Sequence, residues 1–330
     1  MESETIRILK MLEEGKISSE EAVRLIEALK HEKPGNTETW ASGRKSRIWR
    51  DFGFEWDNLR NIGQYLNECF GPKSEFAEEK EWSFDAQRIS TIDAESINGN
   101  ITVTGSEKDQ IIVKARKIVK AQSDAIAEEI DEQVNIIAQQ VENRLQILTE
   151  QPMTLFNASV TVHYDIFCPG TMNINLLSKN GKISVNQIEG VLKLATINGK
   201  ILLESISGSA NAKTTNGKIY ASLKDLKSDI KLSSLNGSIE THILSGNASI
   251  ALKTMNGSIR LYLPDDFSGH LDAEVKFGKI HSDFPITTQN FNRRHLTGQI
   301  GSHNETPIFL STKNGNIYIN KPNPAEPESN

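Results

Sequence analysis

Cysteine is nearly absent from this chain: Cys69 and Cys168 are the only two in 330 residues. Two thiols cannot build the disulfide framework that holds small secreted domains together. Aromatic residues are scarce at 6%, and hydrophobic residues as a whole reach only 37%. No stretch approaches the roughly 18 consecutive apolar residues that a membrane-spanning helix needs. The opening Met1-Glu2-Ser3-Glu4 is acidic and leads into an amphipathic pattern, unlike the basic and then apolar order of a signal peptide. The expected location is therefore cytoplasmic by default, with peripheral membrane contact or non-classical export left open. An excess of positive charge is also lacking. The formal charge is −6, which argues against general nucleic-acid binding, because that requires cations to neutralise phosphates.

The charge is uneven. Residues 1–169 carry 20 Lys and Arg against 30 Asp and Glu, a balance of −10; residues 170–330 carry 17 against 13, a balance of +4. Length alone is a prior for two domains, and the charge split predicts halves of different kind. What the chain has in excess is asparagine, 27 residues beside 22 glycines. That excess needs a structural cause.

Residues 1–32 read as a helical hairpin. Ile8, Leu9, Met11 and Leu12 form one apolar stripe, and Gly15 is placed to end the first helix. Ser18 and Glu21 have the spacing of a capping box opening the second, whose stripe is Ala22, Leu25, Ile26 and Leu29. Helices this short need another surface to pack on. The hairpin is either a small structural element or a docking or oligomerisation module. Residues 33–83 read as a linker opening on Lys33-Pro34-Gly35-Asn36 and holding all four tryptophans, Trp40, Trp49, Trp56 and Trp82. Arg44, Lys45, Arg47 and Arg50 lie among them. Cations beside amphipathic rings suit docking or a membrane interface. The acids Asp51, Glu55 and Asp57 argue instead for a linker whose aromatics cover a neighbouring domain.

The asparagines then find a pattern. Asn-Gly followed one residue later by Ile occurs at Asn98-Gly99, Asn180-Gly181, Asn198-Gly199, Asn216-Gly217, Asn236-Gly237, Asn256-Gly257 and Asn314-Gly315, with Phe277-Gly278 as a degenerate copy. From Asn180 to Asn256 the steps are 18, 18, 20 and 20 residues. Whole columns repeat with the motif. Four residues before each pair stand Leu194, Ala212, Leu232, Leu252 and Leu310; two before stand Ser178, Thr196, Thr214, Ser234, Thr254 and Thr312. After the isoleucine column come Val185, Leu203, Ala221, Thr241, Leu261 and Ile319. This is the period-2 alternation of strands. Lys193, Lys213, Lys231 and Lys253 fall on the outward positions between the columns. A half-repeat, Ile188-Glu189-Gly190, Ile206-Ser207-Gly208, Leu244-Ser245-Gly246 and Phe267-Ser268-Gly269, lies midway.

Asn-Gly turns also make hairpins, but a meander has no reason to repeat identical columns at fixed spacing. Stacked coils do. The predicted fold is mainly β: a single-stranded parallel β-helix of about 18–20 residues per coil over 84–320, with the hairpin in front and a tail at 321–330. An inserted helix is expected near 121–142, on Ile126, Ile130, Val134 and Ile137, running from Ser123 to Gln140. The asparagine amides are expected to ladder from coil to coil.

The Asn-Gly-x-Ile array, the helix insertion before a Phe-x-Cys-Pro-Gly strand end and the Ile-x-Gly half-repeat resemble the bacterial putative-adhesin β-helix family, a domain of unknown function. Ile8 to Ala22 resembles the helical hairpin that opens LiaX-like members from Gram-positive bacteria. The resemblance implies a non-enzymatic role around envelope stress, with a protein partner such as a membrane-associated regulator or another copy of the chain. It carries over no catalytic residue, cofactor or metal ligand.

No chemistry-bearing motif competes. The seven histidines lack the i, i+4 or Cys-paired spacing of a zinc site. His270 and His281, with Asp272 and Asp283, are one grouping for folding to bring together. No Gly-x-Ser-x-Gly elbow or phosphate loop is present. Lys182, Lys200 and Lys218 follow three successive Asn-Gly pairs and are expected to stack about 5 Å apart. That ladder is either a surface for anionic polymer or lipid, or a solvated charged edge. Two further readings stay open: a polysaccharide-acting β-helix enzyme and a self-polymerising structural β-helix.

Overall fold

The computed structural model describes residues 74–152, 158–292, 294–302 and 306–322. The expected hairpin at 1–32, the linker as far as residue 73 and the tail beyond 322 lie outside the described residues. The domain is mainly β, with one short α-helix among the described residues.

Two walls of strands run in register from rung to rung. The first wall stacks β2 (Thr91–Asn98), β8 (Asn173–Asn180), β10 (Glu189–Asn198), the second half of β11 (Ile201–Asn216), β13 (Ile230–Asn236) and β15 (Ile250–Asn256) in parallel. The second wall stacks β3 (Ile101–Ser106), β9 (Ile183–Asn186), the first half of β11, β12 (Ile219–Asp225), β14 (Ile239–Ile243) and β16 (Ile259–Tyr262). Asn180, Asn198, Asn216, Asn236 and Asn256 are mutual register partners, so the sequence period is the rung period.

The cause is visible in the columns. Ile183, Ile201, Ile219, Ile239, Ile259 and Ile317 are all buried, as are Leu194, Ala212, Leu232, Leu252 and Leu310. Inward residues of both walls belong to one hydrophobic core. Alternation places every second side chain in it, and β-branched residues suit the pleated surface. The half-repeat column is less regular. Ile188, Ile206 and Phe267 are buried, but Leu244 is 60% exposed.

The expected column of serine and threonine is buried, and every member but Ser178 is bonded. Hydroxyls of Thr196, Thr214, Ser234, Thr254 and Thr312 donate to the carbonyls of Gly181, Gly199, Gly217, Gly237 and Gly257, each one rung back. The glycines have a different reason from the left-handed turn that Asn-Gly suggests. A Cβ on Gly199 or Gly217 would stand 1.8 or 1.9 Å from the glycine carbonyl oxygen of the rung before. At the corner the backbones pack against each other directly, and only a residue without a side chain fits. Gly99, at φ +129°, also needs glycine for its backbone conformation.

The stack is not sequential at its ends. β21 (Pro307–Asn314) and β22 (Ile317–Asn320) come last in the chain, yet they lie between β15/β16 and the earlier pair β17 (Gly269–Phe277) and β18 (Ile280–Ser282). The asparagine column therefore runs from Asn256 to Asn314 and then to Phe277. β19 (Ile286–Asn292) and β20 (His295–Ile300) add antiparallel strands beyond β17.

At the other end, β6 (Arg144–Glu150) and β7 (Ala158–Pro169) form the rung below β2 and β3. β4 (Gln110–Ala121) pairs antiparallel with β7, and β1 (Ser74–Asp85) pairs with β4 along its whole length. Strand pairing thus begins at Ser74, ten residues ahead of the expected boundary, and Trp82 packs against the core.

The inserted helix is shorter than its pattern predicts. α1 spans Asp124–Gln133, capped by the Ser123 hydroxyl accepting from the Ile126 N–H. It stops at Val134, and β5 (Asn135–Val141) follows, paired antiparallel with β6. Ile126, Ile130 and Val134 keep a helical phase, but Asn135-Ile136-Ile137, with its two β-branched residues, pairs with β6 instead.

Candidate ligand-binding face

The corner after each asparagine carries one column. Ile183 and Ile201 N–H groups donate to the carbonyls of Lys200 and Lys218 (3.0 Å each), and Ile101 donates to that of Lys182. These bonds place Lys182, Lys200 and Lys218 on consecutive rungs, about 4.8 Å apart, with all three side chains exposed. The column continues as Asn100 on one side and Ser238 and Ser258 on the other. The expected ladder is three lysines long.

The asparagines beside it bond side chain to side chain. Six Nδ2–H···Oδ1 bonds of 2.6–2.9 Å join Asn98, Asn180, Asn198, Asn216, Asn236, Asn256 and Asn314, each amide donating to the rung before. Asn98 at the end donates to the Val160 carbonyl (3.3 Å). This ladder supports the corner; it leaves its amides committed to one another.

A larger array lies on the outside of the first wall. Three outward positions on each of β8, β10, β11, β13, β15 and β21 carry Lys179, Lys193, Lys213, Lys231, Lys253 and Lys313, and no aspartate or glutamate. Acids stand at the margins: Asp93 and Glu95 on β2, Asp272 and Glu274 on β17, and Glu189 at the start of β10, where Lys227 holds it (3.0 Å). Asp93 is held by Arg144 (2.9 Å) and Asn175 (2.6 Å), and Asp272 by His295 Nε2 (2.9 Å). Between the lysines stand Leu177, Ile197, Leu235, Met255 and Phe309, each 41–49% exposed. The outward places of Lys193, Lys213, Lys231 and Lys253 are legible in the repeat. Lys179 and Lys313 stand in another outward column, directly before Asn180 and Asn314, and join the face only through the strand order.

The groups with displaced pKa values serve the fold. Burial pushes the Cys168 thiol up to about 12, which keeps it protonated and a poor nucleophile. Burial pushes the Tyr164 hydroxyl up to about 12 as well, against the opposing bond to Thr149 (2.5 Å). Lys117 is 2% exposed and meets Glu78 and Asp131 at 2.8 Å each. Burial pulls its pKa down, but the two carboxylates outweigh that and raise it. The bond from Lys117 in turn lowers the Glu78 pKa. Among the described residues no three His, Cys, Asp or Glu side chains come together as a metal site. His270 and His281 fall on different walls; His281 stacks on Tyr318 instead (5.2 Å). Arg44, Lys45, Arg47, Trp49, Arg50 and Trp56 lie outside the described residues.

With this geometry in place, comparison with known families is decisive for one point. The family model described as Toastrack DUF4097 matches residues 85–320, most of the chain. The chain belongs to the Toastrack DUF4097 family. A second model, a SHOCT-like domain, matches residues 3–34. No curated protein matches the chain. Among solved structures, the Toastrack domain is similar to a putative cell adhesion protein from Clostridium sporogenes (12% identical, TM-score 0.35, covering 75% of this chain and 100% of that one). It is also similar to putative adhesins from Bacteroides fragilis (10%, TM-score 0.34, 74% and 97%) and Parabacteroides merdae (12%, TM-score 0.31, 75% and 96%). The Toastrack domain here accounts for the mainly β architecture and the stacked repeat.

Proposed function

We propose that this Toastrack protein is a non-enzymatic binding scaffold that works in the bacterial envelope stress response from the cytoplasmic side. In this reading residues 84–320 act as a single-stranded parallel β-helix presenting rigid faces. The N-terminal segment docks them to a membrane-associated regulator or to a second copy. The observation that carries it is the first wall: six lysines on consecutive rungs of a backbone-locked stack, with a single acid, Glu189, already paired with Lys227. A rigid array of like charge loses little entropy on binding and attracts a partner of opposite sign. The inert thiol of Cys168 and the salt-bridged Lys117 support a structural rather than a catalytic use of the titratable groups.

The test compares the full-length protein with a chain lacking residues 1–73, which keeps β1. Light scattering and affinity capture from the bacterial host are the readouts. The expected result is that full-length protein either doubles its mass or retains a membrane-spanning regulator, and that truncation abolishes this. Identical behaviour of the two chains refutes the docking role. Release of new reducing ends from a cell-wall polysaccharide refutes the non-enzymatic role.

A further inference from the structure

We infer that the outward face of the first wall seats on an anionic phospholipid bilayer. The inference rests on the scaffold reading above and names the partner of that face.

The first argument is charge complementarity within the same rungs. From β8 to β21 the first wall presents six lysines and one acid, Glu189 at the start of β10, which Lys227 neutralises (3.0 Å). The second wall of those rungs mixes signs, presenting Glu204, Lys224, Asp225, Glu240 and Arg260 among neutral residues such as Tyr220 and Tyr262. One chain of net charge −6 has thus gathered cations on one side of a two-sided stack. Among the described residues these six ammonium groups make no ion pair, whereas Lys114, Lys117, Lys120 and Lys227 elsewhere all do. Their charge is available to an external anion.

The second argument separates a bilayer from a soluble polyanion. A linear polyanion rewards charge alone. This face interleaves its lysines with Leu177, Ile197, Leu235, Met255 and Phe309, all substantially exposed. Cations at headgroup level with apolar side chains among them match the bilayer interface, which takes both. The face also holds an open depression of about 590 Å³, lined by Lys213, Lys253 and Lys313 together with the outward residues Thr215, Ser233 and Ser311. That is within the size range of small-ligand sites, and it suits a phosphate headgroup. Glu274, beside Lys276, marks its acidic end. Six rungs at about 4.8 Å give a contact strip of about 25 Å, long enough to engage several headgroups at once.

The test uses full-length protein and sedimentation with phosphatidylcholine vesicles, with and without phosphatidylserine, and with polyglutamate as a soluble polyanion. The expected result is binding to phosphatidylserine vesicles only. The triple variant Lys213→Gln/Lys231→Gln/Lys253→Gln should lose about tenfold or more in affinity, since each cation near an anionic surface adds a several-fold gain. The pair Leu235→Ser/Met255→Ser should lose a smaller factor on the same vesicles. All five positions are exposed, so unchanged circular dichroism serves as the folding control. A second variant, Arg44→Gln/Lys45→Gln/Arg47→Gln/Arg50→Gln, separates the basic segment ahead of the domain. The inference is overturned if vesicles do not bind, if only this second variant weakens binding, or if polyglutamate competes fully and the apolar pair is silent. In each of those cases the scaffold reading stands or falls separately, on the mass and partner of the full-length chain.

Discussion

The middle of the stack and its N-terminal end are held together by different means. From β10 to β16 every rung uses the same four devices: a buried isoleucine, a buried hydroxyl on a glycine carbonyl, an asparagine amide on its neighbour, and a corner where backbones touch. At the N-terminal end, β1, β4, β7 and α1 use contacts that occur once. Lys117 is clamped by Glu78 and Asp131, Tyr164 bonds Thr149, and β1 and β4 are laced by exposed ion pairs such as Lys114 with Glu81. Repetition makes each rung a template for the next, as in other solenoids, where neighbouring-unit interfaces set stability. The end has no neighbour to copy, so its buried polar groups must find individual partners.

Four sets of substitutions break or sharpen this contrast. The largest effect is expected in the repeat. Gly217→Ala puts a Cβ against the Gly199 carbonyl oxygen, forces two rungs apart and should cost about 4 kcal/mol by denaturant unfolding. Gly170→Ala, whose Cβ would meet only the Gln187 oxygen at 3.5 Å, should cost less than about 1 kcal/mol. Equal losses at the two sites would show that backbone contact is not what the corner glycines provide.

Next comes the end. Lys117→Ala leaves two carboxylates facing a buried space and should cost about 3 kcal/mol, while Lys117→Met should recover much of it. The pH dependence has a defined sign. The Glu78 pKa is lowered, so its contribution is present above the ordinary carboxylate pKa and fades as pH falls through the lowered value. The Lys117 pKa is raised, so its contribution is intact below the ordinary lysine value and fades as pH rises through the raised one. Lys117→Met should flatten both limbs of a melting-temperature profile.

The ladder is third. Asn216→Ala removes two amide bonds but leaves solvent-exposed partners, for a loss of about 1 kcal/mol in the same unfolding assay. The corner lysines are last. Replacing Lys182, Lys200 and Lys218 together with Gln should change stability by no more than about 0.5 kcal/mol; a larger loss would mean the column is structural.

Much of the repeat was readable before any coordinates. Asn180 to Asn256 gave register and rung length, and the columns on either side gave the inward faces, because stacking in parallel forces equivalent positions into contact. The α1 boundary was not readable: Ile126, Ile130, Val134 and Ile137 fit a helical stripe, while β-branching and the free edge of β6 favoured a strand after Gln133. Leu244 fitted the half-repeat and yet faces solvent. The lysine-bearing face was half legible. Four of its lysines stand out in the repeat, but the face exists only when β21 is known to follow β15.

The sequence by itself determined the period, the parallel register of the middle rungs and which side chains point inward. These follow from local alternation and from a repeat that each rung copies from the one before. Only the tertiary structure decided the order of the last rungs, with β21 and β22 inserted ahead of β17 and β18, and the pairing of Lys117 with Glu78 and Asp131. The reason is physical. A strand edge accepts any segment whose columns match, so chain order does not fix stacking order. A buried charge is settled by partners far away in sequence that no period announces.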